Sequence, residues 1–237
     1  MKMVIHRSET RGHANHGWLD TYHTFSFGMY HDPSRMHFGM LRVLNDDFVI
    51  GGAGFGKHGH DNMEIISIPL QGSLAHSDST GNEGIISTGD VQIMSAGSGI
   101  QHAEYNASET DSVNFLQIWI FPKERNIQPR YDQLSFTTED LRNQLRQVVS
   151  SEPSDTMLWI NQDAAVYLGE FDTAVHITHT LQSEQHGVYL FIIEGSVTLD
   201  DITLHKRDGI GIHNARELFL HIHEQTTVLL IEVPMSA

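Results

Sequence analysis

The feature that most constrains this chain is its repeated pattern of short β-forming runs. Examples are "FVIGGAGF" (48–55), "EIISIPL" (64–70), "DVQIMSA" (90–96), "NFLQIWIF" (114–121), "GVYLFIIEG" (187–195), "SVTLDDITL" (196–204) and "TTVLLIEV" (226–233). Each is rich in β-branched or aromatic residues, and Gly, Asn, Asp or Ser separates it from the next. Such runs are too short for ordinary helices, and their spacing predicts an all-β sandwich or barrel. The two halves also resemble each other. "LQGSLAHSD" (70–78) is similar to "IEGSVTLDD" (193–201), and "TGDVQIM" (88–94) to "RDGIGIH" (207–213). An ordered repeat of strand, glycine turn and strand points to a duplicated β-barrel.

One segment departs from the pattern. "TTEDLRNQLRQVV" (137–149) places Leu141, Leu145 and Val148 at helical spacing, with Thr138 as the expected N-cap and acids in the first turn. The polar "SSEPSD" follows it. The expected organisation is a first domain over 1–130, a helical connector over 131–156 and a second domain over 157–237.

The chemistry is concentrated in histidines, of which there are 17. In "GKHGHDNME" (56–64), His58 and His60 are two residues apart, so on a strand they point the same way. His102 and Glu104 in "SAGSGIQHAEYN" (95–106) repeat that spacing. On facing strands the two pairs make three imidazoles and a carboxylate. That donor set suits iron(II), manganese, nickel, copper or cobalt, and leaves coordination positions open. No cysteine is present, which excludes disulfides and thiolate-held zinc or iron–sulfur sites. Aligning the halves on Gly72 and Gly195 puts Leu181, Ser183 and Gly187 where the first half has His58, His60 and Glu64, so a metal site is expected in the first half only. The pair His221 and His223 falls in an apolar strand and is expected to be a relic or a surface feature.

Composition narrows the partners. The net charge is −16 with only 14 Lys and Arg, which argues against direct contact with nucleic acid or an anionic membrane. No run reaches the roughly 20 apolar residues of a membrane span, and the expected compartment is the cytoplasm.

The stretches "GWLDTYHTFSFGMYHDPSRMHFGMLRVLNDD" (17–47), "HGHDNMEI" (58–65) and "MSAGSGIQHAEYN" (94–106) resemble the signatures of the pirin family within the cupin superfamily. The likeness covers most of residues 10–130 and is looser beyond. It implies a bicupin: two jelly-roll barrels, the second without metal. It also implies one mononuclear divalent metal, commonly iron(II), held by His58, His60, His102 and Glu104. Ser95 stands where other cupins carry proline, a departure that pirins share. Glu64, a ligand position in many other cupins, is assigned here to orienting a ligand. The pocket is expected to draw on Phe25, Phe27, Phe55 and Met94 as an apolar wall. Gln117 is expected to reach the ligand shell, and His23 to lie near the site or in the core. "RVLNDD" (42–47) is expected to run into a turn capped by Asn45 and Asp46.

The activity that the resemblance implies is that of a quercetin 2,3-dioxygenase. Such an enzyme opens a flavonol heterocycle with O2 and releases carbon monoxide, and Glu104 would be the base. The alternative is an iron-dependent, redox-responsive regulatory protein acting through a protein partner. The family expectation for assembly is a monomer.

Overall fold

The computed structural model describes residues 1–236. It holds two barrels of the same plan, each a seven-stranded sheet facing a four-stranded one. In the first barrel the large sheet runs in the order Arg130–Ser135, Asp90–Ser95, Glu64–Gln71, Val113–Ile120, Leu41–Val49, Leu19–His23, Gly12–Asn15. Its small sheet runs Gly54–His60, Ile100–Asn106, Ser73–Asp78, Glu83–Ser87. In the second barrel the large sheet runs Lys2–His6, Gly209–His213, His186–Glu194, Thr226–Pro234, Ala165–Phe171, Arg146–Ser150, Leu158–Trp159. Its small sheet runs Val175–Thr180, Glu217–Ile222, Ser196–Leu199, Ile202–His205. This is the all-β, two-barrel architecture that the repeat predicts.

The two large sheets pack against each other, and this explains the continuous apolar runs. Along His186–Glu194, Val188, Leu190 and Ile192 fill the second barrel, while Tyr189, Phe191 and Ile193 join the core between the barrels. A strand buried on both faces has no solvent side, so its alternation disappears. In the first barrel Ile66, Ile68, Leu116 and Ile118 face that shared core, and Ser67 and Gln117 take the opposite phase, toward the barrel interior. Burying each such Leu or Ile is worth roughly 1.5–3 kcal/mol, so the barrels are one packed body.

Strand pairing also assigns the chain segments. Lys2–His6 pairs with Gly209–His213, so the first residues complete the second barrel. Arg130–Ser135 pairs with Asp90–Ser95 and stays with the first. The connector holds one short helix, Thr138–Leu141, and its N-cap is Thr137 rather than Thr138. Thr137 Oγ1 accepts from the Asp140 amide, and the Asp140 carboxylate accepts from the Thr137 amide, a reciprocal capping box. The predicted helix does not continue to Val148. Asn143 turns left-handed at φ 55°, and Arg146–Ser150 joins the sheet with Val148 and Val149 both fully buried. Two adjacent β-branched residues buried in the core between the barrels, at an irregularity in the ladder with Ala165–Phe171, fit a bulged strand better than a helix. The "RVLNDD" segment also differs from expectation. It stays extended through Leu41–Val49, because each of its polar side chains finds a buried partner.

The turn before the His102 strand depends on Gly97. Its φ is +52°, and a Cβ there would lie 2.1 Å from the Ile127 carbonyl oxygen. Gly97→Ala is expected to cost about 1–3 kcal/mol from the left-handed backbone, with the clash in addition. A chemical-denaturation midpoint measures it; an unchanged midpoint would show that the turn has room to move.

Candidate metal centre

The site is built on two neighbouring antiparallel strands of the small sheet. His58 and His60 project from one face of Gly54–His60, and His102 lies directly opposite His58 on Ile100–Asn106. The three ring centroids are 4.4 Å (His58–His102), 4.8 Å (His58–His60) and 4.9 Å (His60–His102) apart. A nitrogen of each lies within 4.8 Å of the others. His58 Nδ1 donates to the Gly56 carbonyl at 2.8 Å, which leaves Nε2 with its lone pair. Burial, reinforced by the neighbouring imidazoles, lowers His60 to about 4 and His102 to about 3. Both rings are therefore neutral at pH 7, the form that can bind a metal.

His102 supplies the test of fit. It is buried, and neither of its ring nitrogens has a hydrogen-bond partner. Leaving such a group unpaired costs about 1–3 kcal/mol. An imidazole with two free nitrogens beside two further imidazoles is what a cation would satisfy, so the residues fit a divalent metal.

A ladder irregularity follows His102, so Glu104 lies opposite Phe55 rather than opposite Gly56. Glu104 is buried, accepting from Ser67 Oγ at 3.0 Å and from Gln117 Nε2 at 2.9 Å. Burial raises its carboxyl above the usual carboxylate range. Glu104 also belongs to a second cluster. His76, His102 and Glu104 bring ligand atoms within 4.8 Å of one another, so the two triads share His102. His76 lies across the ladder from Glu104, with Nε2 3.3 Å from Asp78 Oδ2 and its ring against Tyr131. Sequence reasoning passed over it. The available signal was its period-two phase with the buried Leu74 in "SLAHSD".

A cavity of about 420 Å³ opens onto these groups. Trp18, Phe27, Phe55, Ile65 and Trp119 form its apolar wall, and Asn45, Asp47 and Gln117 its polar end. Trp119 stands edge-on to His60 at 4.9 Å and to Phe27 at 5.3 Å. Of the expected pocket residues, Phe27, Phe55 and Gln117 line the cavity. Phe25 does not; it packs in the core between the barrels against His6 and Tyr189. Met94 lies behind the wall with Ile65 and Ile100. His23 sits one layer back, Nδ1 3.0 Å from Asn45 Oδ1 and its ring against Phe27. Glu64 is out of phase with Ile65 and turns toward the second barrel. Its Oε2 accepts from Ser95 Oγ at 2.7 Å and the Asn161 amide at 3.2 Å, so its hydrogen bonds reach no imidazole of the site.

Asp47 is the polar group that sequence reading left in a turn. It is fully buried, accepts from the Thr21 hydroxyl, and is pushed up to about 7, first by burial and then by Asp46 and Glu104. The folded chain therefore keeps this proton at pH values where the unfolded chain, near 3.8, has lost it. Stability falls as pH rises from about 4 to about 7 and is level above, with each pH unit of the gap worth about 1.4 kcal/mol. Asp47→Asn removes this decline. In metal-free protein its unfolding free energy relative to wild type should climb across that window, by a few kcal/mol in order of magnitude. A constant difference from pH 4 to 7 would refute the assignment.

In the second barrel, sheet order makes Val175–Thr180 the counterpart of the His58 strand, rather than the 181–187 positions that the glycine alignment picks. The interior there is closed by Leu218, Leu220, Ile222 and their neighbours, and His221 projects from the other face.

Comparison with known proteins agrees with this division. The family model Pirin matches residues 4–120, and "Quercetinase C-terminal cupin domain" matches 147–233. The Quercetin 2,3-dioxygenase of Escherichia coli (strain K12) is 40% identical over 98% of this chain and 99% of its own length. A Pirin-like protein of Caulobacter vibrioides is 37% identical over 93% of this chain and 95% of its own. The crystal structure of bacterial pirin YhhW from Escherichia coli in complex with nickel(II) superposes with a TM-score of 0.92 at 38% identity, covering 98% of this chain and 99% of that one. Two barrels, three imidazoles converging in the interior of the first and end-to-end likeness at this identity lead to one conclusion: the chain belongs to the pirin family.

Proposed function

We propose that this protein is a metal-dependent oxygenase of the quercetinase type, opening the heterocycle of a flavonol such as quercetin with O2 and releasing carbon monoxide. The observation that carries the reading is the convergence of three imidazoles and a buried carboxylate at the end of an aromatic-walled cavity. The printed names of its relatives support it. His58, His60, His102 and Glu104 would hold the metal, iron(II) being our choice and nickel(II) the precedent in the related pirin. A divalent metal bound there supplies the Lewis acidity that favours ionisation of a coordinated hydroxyl.

The chain's own residues do the rest. Trp18, Phe27, Phe55 and Trp119 offer flat apolar faces to a planar aromatic substrate and exclude water around it. Glu104 takes the proton of the flavonol 3-hydroxyl. Its carboxyl, raised by burial, is closer to the range in which a base works best at neutral pH. Gln117 and Ser67 aim its oxygens and keep the carboxylate in place.

The test is oxygen-dependent consumption of quercetin by protein reconstituted with iron(II) and, separately, nickel(II), with carbon monoxide measured as product. Many turnovers per metal are expected. Glu104→Gln should keep the cavity and lower turnover by about 10²–10⁴-fold, the usual worth of a positioned base. Stoichiometric metal without turnover would sink the oxygenase reading and favour the redox-responsive partner protein.

A further inference from the structure

Three histidines of the second barrel have no part in that site. His176 lies on Val175–Thr180, His221 on Glu217–Ile222, and His223 just beyond it. His176 and His221 are direct partners across the antiparallel ladder. His223 is two residues on from His221 and shares its face. The rings of His176 and His221 stack, with centroids 4.3 Å apart and planes at 22°. Those of His221 and His223 are 4.4 Å apart. The intervening Leu220 and Ile222 are buried in the barrel, whereas Phe219, in phase with His221, is exposed. The histidines therefore sit on the outer face of the sheet.

This cluster is related to the first barrel's, as a row with His221 in the middle rather than a closed triangle. There, His58 faces His102 across a ladder and His60 stands two residues on from His58. Here, His176 faces His221 and His223 stands two residues on from His221. The strands also hold the same places in the two small sheets, Gly54–His60 and Ile100–Asn106 corresponding to Val175–Thr180 and Glu217–Ile222. Two things differ: the single histidine and the pair have exchanged strands, and the phase is reversed, so the first triad points into its barrel and the second points out.

We propose that His176, His221 and His223 form a second divalent transition-metal site, on the protein surface, for an ion such as Zn(II), Ni(II) or Cu(II). Imidazole donors without thiolate suit these ions, and three protein nitrogens leave a position for water. His176 is exposed, so its ring turns toward the other two at little cost. His223 Nε2 is 3.0 Å from Thr198 Oγ1, a hydroxyl that Thr203 also contacts; the neighbouring strand thus holds the ring by one nitrogen. A net charge of −16 raises the local concentration of cations.

The experiment is equilibrium dialysis of tag-free, full-length protein against Zn(II), with His58→Ala/His102→Ala as the background so that the interior site is removed. One tightly held ion per chain is expected. Adding His221→Ala, the middle of the row, should abolish it, and His176→Ala or His223→Ala should each weaken it about tenfold or more. His31→Ala, an exposed histidine elsewhere, should change nothing. Unfolding midpoints without metal check that the variants fold. No zinc bound in the background protein, or binding that survives His221→Ala, overturns the proposal.

Discussion

The His58→Ala/His102→Ala double variant is expected to purify without stoichiometric iron and to lose quercetin turnover to background. Two of three converging imidazoles are gone, and the remaining His60 and Glu104 do not by themselves enclose an ion. The loss of affinity should exceed the roughly 10–100-fold that removing a mere outer partner of a ligand costs. A second readout separates metal loss from misfolding. Metal at about 100 times its Kd stabilises a binding protein by about 2.7 kcal/mol, so wild type should melt higher when iron(II) is added, and the variant, with His221→Ala added to remove the surface histidines, should not respond. The metal-free variant should be no less stable than metal-free wild type, since His102→Ala removes two buried nitrogens without partners. A triple variant that still shifts its Tm with iron(II) would place the centre elsewhere, and the remaining donors His60, His76 and Glu104 would then lead the search.

The second large effect is on stability, at the seam between the barrels. Asp46 Oδ2 is 2.9 Å from Arg207 Nε and 3.5 Å from an Arg11 guanidinium nitrogen, and Oδ1 accepts from Asn114 Nδ2 at 2.8 Å. All three charged side chains are nearly or wholly out of solvent. Arg207 comes from the second barrel and Asp46 from the first, so one carboxylate ties the two together. Asp46→Ala leaves two buried guanidinium groups without their shared anion. Breaking a buried pair in this way costs about 3–5 kcal/mol. In a chain of this size each kcal/mol lowers Tm by about 2–4 °C, so the loss should be plain in a melting curve. Lys123→Ala is the contrast. Its pair with Asp163 is half exposed on both sides, and surface pairs contribute about 0–1 kcal/mol. Equal effects from the two variants would mean that the buried network is not a clamp.

The fold class was legible because strand alternation and turn chemistry are local: a few consecutive residues carry both signals. The pairing of His58 with His60, and of His102 with Glu104, was legible for the same reason, since a strand repeats every two residues whatever surrounds it. Locality also set the errors. "LRNQLRQVV" has a helical period, but pairing with Ala165–Phe171 and burial of Val148 and Val149 in the core between the barrels made it a strand. Asn45, Asp46 and Asp47 read as a turn because three polar residues in a row predict solvent. Thr21, His23 and the two arginines that satisfy them come from distant parts of the chain, one of them from the other barrel.

The sequence alone therefore determined two β-barrels, and that His58 shares a face with His60 and His102 with Glu104. Tertiary structure decided which pairs face each other, that His76 and Asp47 join them, and that Glu64, Phe25 and Met94 stand away from the cavity. The physical reason is that period-two phase says only that side chains share a face. Which face is inside, and what meets it there, depends on sheet order and register, and those are settled by contacts between residues far apart in the chain.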